Sequence, residues 1–214
     1  MSQLWLLARA RRVLPVVCFI AVIEVLVAIY GSVQFRVGQH TVQPVPVAVV
    51  APVLIACAVA TIYFSPQPII DRSSTRDLRP LVLALVVAVM SAATAGLVTA
   101  TQNLDGELTT WAACRDLVGF SGLAFIGAAL FSAAWYWTLP VLAAIVPLTG
   151  LSGHGLVELV TWALRPDDSK PAVVIACVWL GLGLFISQAS EDLSILTSKL
   201  GVKLGGDRDR ACKS

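Results

Sequence analysis

The chain has 214 residues, of which 57% are hydrophobic and only 13% charged, with a formal net charge of +2 and a mean hydropathy of +0.84. A soluble domain carries about 25% charge, so this chain cannot cover its apolar surface in water and reads as an all-α integral membrane protein. The small net charge and the lack of a separate basic arm exclude nucleic acid as a partner.

From the N-terminus, Leu4-Trp5-Leu6-Leu7 is followed by Arg9, Arg11 and Arg12. This stretch reads either as a segment lying along the inner membrane surface or as a plain basic flank. Hydropathy then gives spans at about 13–31, 45–64, 80–100, 117–135, 139–151 and 172–188. The first reads as a retained anchor, because its apolar run exceeds a signal-peptide core and Tyr30-Gly31-Ser32 follows with no A-x-A pattern. Glu24 is the one acidic residue well inside a span. Two readings of it stay open: a protonated acid hydrogen-bonded to a neighbouring helix, or an ion or substrate contact in a polar cavity.

The loop from Ser65 to Arg79 contains Pro66 and Pro68, which end the second span, and Pro80 suits the first position of the next helix. A short helix in its middle would carry Ile69, Ile70, Asp71, Arg72 and Arg76, either as a solvated loop or as a docking surface for a partner. In the third span Ala84, Ala88, Ala92, Gly96 and Ala100 recur at every fourth residue. Such a stripe of small residues lets a second backbone approach closely, within the chain or between protomers. Shorter rows are Ala48, Ala56 and Ala60 in the second span and Ala124, Ala128 and Ser132 in the fourth.

Leu117 to Gly153 is one uncharged stretch, too long for a single ordinary span and tight for two. Charge parity resolves it. A turn at Ala134 to Thr138 puts Arg9, Arg11, Arg12, Arg72, Arg76, Arg79, Lys199, Lys203, Arg208, Arg210 and Lys213 inside, and leaves Arg36, Arg115, Arg165 and Lys170 outside. That is the positive-inside bias, with both termini cytoplasmic. Trp135-Tyr136-Trp137 at the turn supplies headgroup-level aromatics. The fifth span is short and carries Pro140 and Pro147, and Gly155 to Arg165 is amphipathic, with Leu156, Val157, Leu159, Val160, Ala163 and Leu164 on one face. A shortened helix followed by an outer re-entrant or interfacial helix is therefore expected. Residues 1–188 form a single transmembrane domain and 189–214 a cytoplasmic tail.

Chemistry-bearing motifs are scarce. No G-x-x-x-x-G-K-[ST] loop occurs, the only histidines are His40 and His154, and no hydrolase or metalloprotease constellation is present. His154 and Glu158, four apart, read as a local hydrogen bond rather than half of a metal site. Asp167 and Asp168 read as turn residues before Pro171. Cys18, Cys57 and Cys177 lie in apolar runs, Cys114 near a helix end and Cys212 in the tail, without a CxxC pair, so neither a disulfide nor a metal framework is expected. The chain is expected not to be an enzyme and to hold no cofactor.

The N-terminal segment, six spans, helical cytoplasmic loop, short fifth span with an outer re-entrant helix and missing nucleotide motif together resemble the permease subunit of type-2 ABC exporters. The segments Arg115-Asp116-Leu117-Val118-Gly119 and Trp162-Ala163-Leu164-Arg165-Pro166 are also similar to stretches of actinobacterial membrane proteins. The resemblance implies a multi-pass protein of the bacterial plasma membrane that pairs with itself or with a related permease. It further implies a separate ATP-binding cassette subunit, which would hold ATP and Mg and dock around Ile69 to Arg76. A non-transporting membrane protein, an immunity or assembly factor that binds its partner through its helices, is the alternative.

Overall fold

In the computed structural model, residues 11–31, 34–35, 45–63, 79–102, 110–131, 135–148, 161–165 and 169–189 are described. The helices are α1 (Val13–Tyr30), α2 (Val47–Tyr63), α3 (Arg79–Thr101), α4 (Thr110–Leu130) and α5 (Thr138–Leu148), followed by α6 (Lys170–Ala189). A two-residue antiparallel ladder, β1 (Gln34–Phe35) with β2 (Val45–Pro46), links α1 to α2, and a 3-10 turn at Thr161–Leu164 precedes α6. Four helices, α1, α3, α4 and α6, are long and apolar enough to cross a membrane. At about 1.5 Å per residue, the 17-residue α2 reaches about 25 Å and the 11-residue α5 about 16 Å, against a hydrocarbon core of about 30 Å.

The surface is what a lipid solvent permits. Val16, Ile20, Ile23 and Val27 of α1 alternate by four and three residues and are buried, while Leu14, Val17, Val22, Val25 and Ile29 around them are exposed. In water those outer residues would cost free energy. Against lipid tails they cost nothing, so hydrophobicity does not drive one helix onto another and packing must do so. Several hydroxyl groups in the spans are satisfied on their own helices: Thr94 Oγ1 donates to Met90 O at 2.8 Å, Thr61 Oγ1 to Ala58 O at 2.7 Å and Ser187 Oγ to Leu184 O at 3.0 Å. This keeps the donors out of hydrocarbon without a partner helix.

Helix α4 is the centre of the bundle. Its spanning window is 72% buried, against 22%, 28% and 22% for α1, α3 and α6. Yet α4 is the least apolar of the four. The two facts belong together, because a helix walled in by other helices need not present an apolar face to lipid and gains most from small residues that admit its neighbours. Gly122 meets the backbone of Trp179 and Leu180 on α6, and Gly183 of α6 meets the Gly122 carbonyl, so that a Cβ on either glycine would overlap backbone. Gly127 is packed in the same way on the Tyr136 carbonyl at the start of α5. Around α4, the helices α2, α3 and α5 complete the core, with α1 laid against α2 and α3. Ile55, Val59, Ile62, Leu97, Leu117 and Phe120 are fully buried there.

The α4–α5 turn occurs where the aromatic triplet was expected. Trp135 and Trp137 are exposed and stacked, with ring centroids 6.1 Å apart. At the start of α5, Thr138 Oγ1 donates to Trp135 O at 2.7 Å.

Helix α4 begins at Thr110, whereas hydropathy started its span at 117. The window excluded Arg115 and Asp116 as charges, but in the fold they pair and are only 4% and 1% exposed. Once paired, they are carried inside the helix.

Candidate functional site

The most polar part of the interior lies one to three turns into α4. Arg115 divides its guanidinium between two tasks. Its Nε donates to Asp116 Oδ1 at 3.0 Å, and its Nη2 donates to Ala163 O and to Arg165 O, each at 3.2 Å. Those carbonyls close a 3-10 turn, where main-chain acceptors lack partners within the helix. The cation therefore ties a separate, short segment to α4. Below it, Trp162 is fully buried, with its indole over Gly119, where a Cβ would overlap the ring, and 5.1 Å from the Phe120 ring centroid at a tilt of 48°. Among the described residues its Nε1 has no hydrogen-bond partner.

Segments 115–119 and 162–165 thus meet. Sequence reasoning assigned Arg115 only to an outer flank. The available signal was an adjacent Arg-Asp pair bordering a long uncharged stretch, a pair that is neutral as a unit.

Glu24 lies on the half of α1 nearer Tyr30, against Gly96 of α3. A Cβ at Gly96 would overlap the Cδ and both oxygens of the carboxyl group. Oε1 is sealed and has no hydrogen-bond partner among the described residues, while the side chain as a whole is part-exposed.

The small-residue stripe of α3 is divided between two environments. Ala84, Ala88 and Ala92 are exposed, Gly96 is half-buried and Ala100 is buried. The packing face of α3 inside this chain is instead Val82, Val86, Val89, Ala93, Leu97 and Ala100. Likewise, close approach on α4 is made by Gly119, Gly122 and Gly127, a row that the alanine pattern concealed.

Ile69, Ile70, Asp71, Arg72 and Arg76 lie outside the described residues, as do His154, Glu158, Asp167 and Asp168. Of the amphipathic segment 155–165, only 161–165 is described, as the 3-10 turn and the residue after it. Among the described residues no three His, Cys, Asp or Glu side chains gather as a metal site would require.

Fold and site together define a helical membrane protein of the multi-pass kind, with four helices long and apolar enough to cross a bilayer. No protein-family profile, characterised protein or solved structure matches the chain.

Proposed function

We propose that the chain is the membrane-spanning permease subunit of an exporter in the bacterial plasma membrane. It would have six crossings with both ends in the cytoplasm and be energised by a separate ATP-binding subunit. The observation that supports this reading is the short α5 together with the 3-10 turn held against α4. Helix α5 rises only about 16 Å, and the 3-10 turn at Thr161–Leu164 is then tied to α4 by Arg115. Along α4, Tyr136 rests at Gly127 and Trp162 at Gly119, eight residues or about 12 Å apart. In this reading the helix and the turn would share one crossing beside α4, as in the shortened-helix-and-re-entrant layout of such permeases. Breaks of this kind are tolerated in a membrane where they are buried in protein.

With no nucleotide loop of its own, the chain must receive ATP-derived work through a cytoplasmic contact. The loop around Ile69 to Arg76 is bounded by prolines and held between α2 and α3, so force applied to it passes into both helices. Co-purification of an ATP-binding subunit with the tagged chain, and its loss in an Arg72→Glu, Arg76→Glu double variant that still inserts and folds, is the expected result. Retention of that subunit and of export at the unmodified rate would overturn the docking assignment. Failure to recover any such subunit would favour the non-transporting reading. One observation favours this second reading: the charged groups well inside the described spans are Glu24 and the Arg115–Asp116 pair, and the pair is spent on internal contacts.

A further inference from the structure

We propose that Glu24 is a proton-binding site facing the bilayer: a neutral carboxylic acid seated on the glycine notch of Gly96, reachable from lipid and not from water. It rests on the contact between α1 and α3 and is independent of the exporter reading. Glu24 is eleven residues after Val13 and six before Tyr30, about 16 Å and 9 Å from the two ends of the helix, so neither end brings it to a headgroup. The cavity that receives the carboxyl group exists only because residue 96 has no side chain. Inside it Oε1 is sealed with no hydrogen-bond partner among the described residues.

Among the described residues the surroundings supply no counter-charge. Helix α1 packs on α2 and α3. The titratable side chains of α2 are Cys57 and Tyr63, and that of α3 is Arg79, which lies seventeen residues from Gly96, about 25 Å along the helix. On α1 itself the others are Cys18 and Tyr30, each six residues from Glu24. A bare carboxylate in hydrocarbon costs several kcal/mol or more, whereas the acid form costs far less. A bound proton is therefore the ligand this notch selects, and the part-exposed side chain leaves the acid open to a reagent dissolved in the lipid. A metal cation would need several oxygen ligands, and the notch offers one carboxyl group.

The test uses the full chain reconstituted in phosphatidylcholine vesicles and treated with dicyclohexylcarbodiimide, which partitions into lipid and reacts with protonated carboxyl groups. The acid O–H adds across one N=C bond. The carboxyl oxygen bonds to the central carbon, the proton moves to nitrogen, and the O-acylisourea rearranges to a stable N-acylurea, with no oxidant or leaving group required. Peptide mass spectrometry should find the adduct on Glu24, several-fold more at pH 6 than at pH 9, and little at Glu24 from a water-soluble carbodiimide. Glu24→Gln, which keeps the shape of the acid form, should remove the adduct without altering elution on size exclusion. Gly96→Ala fills the notch, displaces the flexible carboxyl end and should raise the labelling rate several-fold. No adduct at Glu24 from the lipid-soluble reagent at either pH would overturn the proposal. Equal reaction with the water-soluble reagent would replace it with a water-lined carboxylate, and an unchanged rate in Gly96→Ala would overturn the role of the notch.

Discussion

Replacing Arg115 with methionine keeps much of the side-chain volume and removes the charge that ties the 3-10 turn to α4. With it go the hydrogen bonds to Asp116 Oδ1 at 3.0 Å and to the carbonyls of Ala163 and Arg165 at 3.2 Å. Asp116, 1% exposed, loses Arg115 as its counter-charge. Breaking a buried ion pair from one side costs about 3–5 kcal/mol. The carbonyl bonds, worth about 1.5–3 kcal/mol each in isolation, are not additive with that figure because one guanidinium serves all three acceptors. The expected loss is thus about 3–5 kcal/mol for Arg115→Met. It should be smaller for Asp116→Leu, in which the cation keeps both carbonyls. The Arg115→Met, Asp116→Leu double variant leaves no charge behind and should cost no more than Arg115→Met alone, giving a coupling within the range of about 0.5–3 kcal/mol seen for contacting pairs. Denaturant titration in mixed micelles measures the energies. Emission from Trp162, in a background lacking the other tryptophans, reports whether the turn has left α4, and should shift to the red in Arg115→Met. A loss below about 1 kcal/mol with unshifted emission, or strictly additive single costs, would refute the assignment of Arg115 as the tie.

Gly122→Ala should cost about 1–3 kcal/mol through overpacking, because its Cβ would overlap the backbone of Trp179. Gly181→Ala, with nothing within 4 Å of its Cβ position among the described residues, should be neutral or gain up to about 1 kcal/mol from helix propensity; thermal unfolding in detergent separates the two. On α3, Ala93→Leu enters a packed face and should lower the melting temperature, whereas exposed Ala92→Leu should stay within about 0.5 kcal/mol. Equal effects would show that the burial of α3 is wrongly understood. For topology, single cysteines at Asp105 and Asp167 should react with an impermeant maleimide added outside, and one at Arg76 only after permeabilisation; protection of position 105 in intact cells would sink the six-span reading.

Composition alone determined the solvent of this protein, since 57% hydrophobic and 13% charged residues leave lipid as the only medium for helices of this length. The period of charge along the chain located the helices, because a charge that is unpaired at the scale of one helix must lie outside the bilayer. That same rule began the span at 117, after Arg115 and Asp116, whereas the helix begins at Thr110. Whether a charge is unpaired depends on what folds against it, and the carbonyl partners of Arg115 come from residues 163 and 165, 48 and 50 positions away. The helix-packing faces escaped the sequence for a related reason. In a chain where lipid and protein neighbours are equally apolar, hydrophobicity carries no information about which side of a helix is inside. Within one chain the tertiary structure packs α3 through Ala93 and Leu97, beside the alanine row, and uses the Gly122–Gly183 crossing elsewhere. For Glu24, sequence identified an intramembrane acid. Only the fold set it against Gly96, because the absence of a side chain matters solely to the neighbour that comes to occupy the space.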